Sequence, residues 1–397
     1  MLNITAPEQA DMCSQRLERI TPVLQRYIND KKLAGMVALV ARHGHPVYFK
    51  NFGYAHIERG RLMQPDTIFR IYSMTKPITS VAVMMLLEEG RLHLDTPLSE
   101  FAPCFKDCKV LIQAAGSGRL EPLKREITLH HLLTHTAGLG YNYDPNAYID
   151  SLFRKYIHRH DATAANTSYE DLMRTIASIP LVFQPGEGWR YSIASEVLSY
   201  IVQTVSAQPF GTFLKERIFE PLGMNDTAFT IASDKISRFA ANYGLAEDGG
   251  LKVIDDPENS VFSLVPLAPS GSGGLISTAP DYLRFCQMML NKGELDGQRL
   301  LGRKTVEYMT LNHLPGNGRI DDPSQGFGIG FSVLLEPSLS STLGSAGTYR
   351  WGGVAGTRFW IDLQEDLIGI LMLQFIPNDF YPVDKTFQNL VYQAIIK

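Results

Sequence analysis

Ser73 and Lys76 stand three positions apart in "FRIYSMTKPITSVAVMMLLEEGRL", residues 69–92. On a helix that spacing puts both side chains on one face, about one turn apart. Proline is tolerated only in a helix's first turn, so Pro77 sets the helix start near residues 74–76. The Ser73 N–H then precedes the ladder and has no intrahelical partner. A serine beside a free N–H, with an amine one turn away, could perform acyl transfer. A neutral amine would take the hydroxyl proton, the N–H would face the developing oxyanion, and the positive helix end would favour both. An isolated Ser-x-x-Lys is more often a helix cap beside a surface lysine. The rest of the chain decides between the two.

The elements that must hold this pair can be read from periodicity. Leu17, Ile20, Val23, Leu24 and Tyr27 predict a helix over 8–31. "GMVALVARHGHPVYFKNFGYA" predicts a hairpin turning at Gly44 and Pro46. Residues 76–89 are apolar nearly all round, the mark of a buried helix, with Gly90 as its stop. From 95 to 265 short helical pieces alternate with Gly-, Pro-, Asn- and Asp-rich loops, including a helix over 192–205. "GFGIGFSVLL", "GTYRWGG", "GTRFWIDL" and "LIGILMLQF" read as strands, the last three as an antiparallel meander, and 384–396 as a closing helix. The fold class is therefore α+β. An antiparallel sheet built from both termini is flanked by N- and C-terminal helices, with a mostly helical insert.

The chain has 397 residues, 45% hydrophobic and 20% charged, with net charge −4. One large domain or two intimate ones fit this length. No basic face is indicated, so nucleic acid is not an expected partner. Cys13, Cys104, Cys108 and Cys286 have no framework-like spacing. The runs "AGMVALVA" and "VAVMMLL" are too short to span a bilayer, and the first residues lack the pattern of a signal peptide. A cytoplasmic protein with no membrane partner is expected; the oligomeric state is left open.

Five blocks occur in a meaningful order: "DTIFRIYSMTKPIT" (66–79), "TLHHLLTHTAGL" (128–139), "PGEGWRYSIASEVLSYIV" (185–202), "PSGSGGLISTAPDYLRF" (269–285) and "WGGVAGTRFWID" (351–362). Together they resemble the serine β-lactamase and penicillin-binding-protein superfamily, class C branch, over nearly the whole chain. Two departures are informative. Tyr191-Ser192-Ile193 stands where class C β-lactamases carry Tyr-x-Asn, and Trp351-Gly352-Gly353 stands where the last strand carries Lys-Thr-Gly. An indole cannot replace a carboxylate-binding ammonium. With these triplets the chain resembles the family VIII carboxylesterases.

The resemblance implies a class C β-lactamase-like fold. An α/β domain over 1–94 and 266–397 and a helical domain over 95–265 would have the active site at their interface. It implies a serine hydrolase of short-chain, neutral esters that works through an acyl-enzyme on Ser73. Lys76 would be the base, alone or with Tyr191. The N–H groups of Ser73 and Val354 would form the oxyanion hole, and Trp351, Gly352, Gly353 and Tyr141 would meet the substrate. The glycines suit an approach of substrate to bare backbone. Alternatives are acyl transfer to an alcohol, weak β-lactamase or peptidase action, and a non-catalytic scaffold.

No cofactor or metal is expected. His131 and His135 have the i, i+4 spacing of a metal pair, but no third ligand accompanies them and His130, so structural roles are expected. "GFGIGF" (326–331) lacks the helix and distant acid of a dinucleotide loop, and no G-x-S-x-G occurs. The aromatic stretch 141–156 fits either packing or a pocket wall.

Overall fold

Eight strands form the central sheet: β1 (Gly35–Arg42), β2 (His45–His56), β3 (Arg61–Leu62), β4 (Gln325–Phe327), β5 (Ser332–Leu334), β6 (Tyr349–Gly352), β7 (Arg358–Asp362) and β8 (Leu367–Leu373). They are seen in a computed structural model of the chain, which describes residues 2–114, 117–142, 144, 147–157 and 166–397. Their order is β4-β5-β6-β7-β8-β1-β2-β3, and every neighbouring pair is antiparallel. The first and last thirds of the chain meet where β1 pairs with β8, Met36 opposite Leu373 and Arg42 opposite Leu367. The β1–β2 hairpin turns on His43 and Gly44, both at positive φ (52° and 75°). A two-residue loop of that kind follows the twist of the strands it joins.

Side-chain alternation divides the sheet between two cores. Val37, Leu39 and Ala41 of β1 join Ile368, Ile370 and Met372 of β8 in the larger core. Met36, Ala38 and Val40 join Leu367, Leu371 and Leu373 in the smaller one. Both faces of β1 are therefore covered, so it reads as one continuous apolar run. Five helices matter here: α1 (Ile20–Asn29), α2 (Thr75–Glu88), α3 (Ala194–Ser206), α4 (Ala279–Leu290) and α5 (Val383–Tyr392). Helices α1 and α5 belong to the smaller core, where α1 packs on β2 and α5 on β8. Helix α2 packs against α3 inside the larger core, and α4 lies across β8, β1 and β7. Burial from Thr75 to Leu86 explains why α2 has no polar face. Gly90 ends it at φ 68°.

Three features differ from the sequence reading. The single helix over 8–31 is three pieces, Pro7–Ala10, Ser14–Leu17 and α1. Asp11 stops the first with a left-handed φ of 54°, and the Pro22 ring cannot sit over the residue 18 carbonyl of a continuous helix. "GFGIGFSVLL" is two short strands, β4 and β5, turning at Gly330 (φ 83°). The stretch 95–265 also holds two hairpins, Lys109–Ala114 with Ser117–Pro122 and Asn242–Leu245 with Leu251–Asp255. The second pairs in parallel with Phe375–Ile376, just past β8. Among the described residues no helix is long and apolar enough to cross a membrane.

Candidate active site

A short 3-10 turn, Tyr72–Met74, leads directly into α2. Its first backbone bond runs from the Met74 N–H to the Ile71 carbonyl (3.0 Å), so the Ser73 N–H lies ahead of the ladder. Tyr72 holds a left-handed φ of 41°, costly for a bulky side chain unless its surroundings fix it. They do. Asn242 Nδ2 donates to the Tyr72 hydroxyl at 3.2 Å, and the ring meets Phe262 edge-on at 6.0 Å. Next to it, Arg70 is fully buried, donating to Asp255 (2.7 Å), the Ala240 carbonyl (2.6 Å) and Ser260 (3.1 Å).

This turn puts Ser73 Oγ between two donors. Lys76 Nζ lies 3.1 Å away and the Tyr191 hydroxyl 2.8 Å away. Lys76 also donates to the Ser272 carbonyl at 2.7 Å and is 1% exposed. Tyr191 is brought there by two loops zipped together. Gly186 N–H bonds the Thr136 carbonyl (2.8 Å), Arg190 N–H that of His135 (3.0 Å) and Ile193 N–H that of Gly140 (3.1 Å). Arg190 and the fully buried Asp150 close the arrangement at 2.9 Å. The Tyr191 ring sits among His135 (5.1 Å), Trp351 (5.3 Å) and Tyr141 (5.7 Å).

Burial dominates the electrostatics. It holds the Lys76 amine below its ordinary range, opposed by the charges of Tyr141 and Glu196. It pushes the Tyr191 phenol up to about 12, opposed by hydrogen bonding to Ser73. Desolvation penalises the charged form of each group, so burial shifts both the amine and the phenol toward their neutral forms. His135 is held down to about 3, by burial first and the Lys76 charge second, and is neutral beside Tyr191.

The turn after β6 approaches the nucleophile from the other side. Gly353 N–H bonds the Thr357 carbonyl (2.8 Å), and among the described residues no acceptor takes the Val354 N–H. At Gly353 the protein itself leaves no room for a side chain, a constraint beside the substrate approach expected from sequence. A Cβ on Gly352 would meet Arg358 Nη1 at 2.2 Å, and one on Gly353 would meet Thr357 Oγ1 at 2.4 Å and the Ile71 carbonyl at 2.6 Å. Bare backbone at 353 therefore lets β6 reach the turn that carries Ser73.

Two cavities meet at Ser73, Tyr191 and Val354. One of about 430 Å³ is walled by Trp351, Gly352, Gly353, Arg350 and Arg358. The other, about 760 Å³, includes Tyr141, Tyr72 and Asn242. Seven of the eight residues named from sequence thus line these two cavities, and the eighth, Lys76, bonds Ser73 beneath them.

The chain is similar to known proteins over most of its length. The Beta-lactamase family model matches residues 20–393. This chain belongs to the β-lactamase family. Among its relatives, Esterase EstB of Burkholderia gladioli is 33% identical over 87% of this chain and 86% of its own. The solved structure of EstCE1, described as a hydrolase with promiscuous acyltransferase activity, superposes with TM-score 0.81 at 27% identity, covering 95% of this chain and 99% of its own. Simvastatin synthase (LovD) of Aspergillus terreus shares the fold, with TM-score 0.77 at 22% identity over 96% of this chain and 98% of its own.

Within this β-lactamase-family site, the sequence reading missed Ser272, Glu196 and a role for His135. Glu196 is fully buried in α3 and accepts from the Ser270 and Ser272 hydroxyls, which fixes the loop whose carbonyl receives Lys76. A glutamate among the apolar residues of the α3 face was the available signal. The three histidines expected to be structural diverge. His131 Nδ1 accepts the Thr128 N–H in a helix cap (3.1 Å), His130 pairs with His313 (3.2 Å), and His135 bonds Ser192 (2.9 Å) behind Tyr191. Among the described residues no group of three His, Cys, Asp or Glu gathers as a metal site. In the aromatic stretch, Tyr141 lies at the site, whereas Tyr143, Pro145 and Asn146 fall outside the described residues.

Proposed function

We propose that the protein is a serine carboxylic ester hydrolase working through an acyl-enzyme on Ser73. The observation that carries this reading is the position of Ser73 Oγ, 3.1 Å from a buried amine and 2.8 Å from a buried phenol. In acylation, neutral Lys76 takes the Ser73 proton as Oγ bonds to the ester carbonyl carbon. The carbonyl electron pair moves to oxygen, opposite the N–H groups of Ser73 and Val354. Collapse breaks the carbon–alkoxy bond, and the leaving alkoxide takes a proton relayed from the Lys76 ammonium through the Tyr191 hydroxyl. Water then repeats the sequence on the acyl-enzyme, releasing the acid and restoring Ser73.

A neutral substrate is favoured by the smaller cavity. Trp351 contributes an apolar wall there, its two arginines are engaged, and its lysine, Lys385, is balanced by Asp322 and Asp384 in the same lining. Arg358 donates to the Gly353 carbonyl (2.8 Å) and Asp384 (3.3 Å), and Arg350 to Gln325 (3.2 Å). The esterase relative and the hydrolase of known structure support ester cleavage over β-lactam cleavage. Acyl transfer to an alcohol is the second reading. It is favoured by two cavities that open on one nucleophile, room for an acyl group and an acceptor together. Free thiols at all four cysteines suit the cytoplasmic location that forms part of this proposal.

The test is hydrolysis of p-nitrophenyl butyrate with fluorophosphonate labelling. Ser73→Ala is expected to abolish both, and full turnover in that variant would overturn the reading. Nitrocefin turnover matching ester turnover would move the assignment to β-lactamase action, and product ester in the presence of an alcohol would establish the transferase reading.

A further inference from the structure

The larger cavity contains a polar atom that the reaction above does not use. Its floor is the small sheet of residues 375–376, 242–245 and 251–255, from which Asn242 lines the space. Asn242 is 1% exposed, and its Nδ2 is committed to the Tyr72 hydroxyl. Its Oδ1 is buried and meets no donor from the described residues. A buried carbonyl left in that condition is costly, and native sites rarely keep one without a use. The surroundings narrow what could meet it. Ile254, Val261 and Ile376 provide apolar wall, and the carboxylates of Asp255 and Asp256 are taken up by Arg70 and Arg59, so among the described residues the lining presents no unpaired cation to draw in a charged group. The amide can also be turned, which would leave Nδ2 without a partner in place of Oδ1. A hydroxyl answers either orientation because it both donates and accepts. The link to the nucleophile is direct: Asn242 holds Tyr72, the residue before Ser73, and all three line the same space.

We propose that this cavity is a subsite for an uncharged, hydroxyl-bearing aliphatic arm of the ester, with Asn242 selecting the hydroxyl. The inference rests on the esterase reading and specifies its substrate class. It is tested with two matched pairs, p-nitrophenyl butyrate against its 3-hydroxybutyrate counterpart and butyl acetate against 3-hydroxybutyl acetate, so that either arm can enter. The readout is the ratio of kcat/KM within each pair, which partial loss of folded enzyme does not move. The unsubstituted protein is expected to favour the hydroxylated member of at least one pair by about threefold to tenfold, the worth of one net neutral hydrogen bond. Asn242→Leu is expected to bring that ratio to about one. Asn242→Ser, too short to reach, lowers it as well and serves if the leucine variant does not fold. Equal rates in both pairs would mean that Asn242 holds a water only, and would overturn the subsite while leaving the esterase reading intact. A preference that survives in both variants would overturn it too. No turnover of any of the four esters would overturn both readings together.

Discussion

Ser73 faces an amine whose pKa is lowered and a phenol whose pKa is raised, both by burial. A free lysine titrates near 10.4. Lys76 must be neutral to accept a proton, so kcat/KM should rise with pH and level off below that value. Tyr191, pushed up to about 12, keeps its proton throughout and should give no descending limb up to pH 10. Tyr191→Phe is expected to lower kcat about a hundred- to ten-thousandfold, the range of a lost proton-transfer group, while leaving the rising limb in place. Lys76→Met should remove that limb along with the activity. An alkaline fall near pH 10 that disappears in Tyr191→Phe would contradict this assignment. His135 makes a separate prediction about stability. Its pKa in the folded protein is about 3, below the ordinary value near 6.5. Between those values the unfolded chain binds the extra proton. The contribution of neutral His135 is therefore complete above about pH 6.5 and lost as pH falls towards 3. Urea midpoints measured across that window should fall with acid, and less steeply in His135→Gln.

Strand β6 and the turn before α2 are joined by the absence of one carbon. Gly353 does not have a positive φ, so the constraint on it is steric, from Ile71 and Thr357. Gly353→Ala should push the two elements apart, costing about 1–3 kcal/mol, the usual range for an overpacked site. It should also lower kcat/KM disproportionately, because the N–H groups of Ser73 and Val354 separate. Thermal midpoint and kinetics on the same sample check this, and unchanged kinetics would show that the contact does not set the site. Elements of this local kind were legible in the sequence. The turn at Gly44, the all-apolar α2 and the "WRYS" and "WGGV" blocks announced themselves through period, punctuation or resemblance, whereas Pro46, expected in the turn, lies in β2 opposite Ala41. Ser272 and Asn242 were not legible, because their roles depend on which distant segments pair, and Glu196 showed only as a glutamate on an apolar helix face. Asn242 reaches the site because its strand docks beside residues 375–376, more than a hundred positions later. The break at Pro22 was visible, but the apolar spacing of 17, 20, 23, 24 and 27 outweighed it in the reading.

The larger core runs without interruption from Val37 through Leu139, Leu172 and Val202 to Met372. The sheet and the helical portion thus share one interior, and they should unfold together. Denaturation followed by tryptophan fluorescence, far-UV circular dichroism and residual ester turnover should give coincident curves. Separate transitions would show that residues 95–265 melt on their own. The pairing of β1 with β8 has a consequence for biosynthesis. The β1–β2 hairpin leaves the ribosome early, yet the partner of its inner edge is residues 367–373. At roughly 5–20 residues per second, translation leaves that apolar edge bare for tens of seconds. A nascent chain needs shielding over this interval, and transcripts truncated before β8 should yield aggregates in place of a smaller enzyme. The same delay applies to chemistry. Val354 follows Ser73 by 281 residues, so in the proposed mechanism the nucleophile leaves the ribosome well before its second oxyanion donor is made.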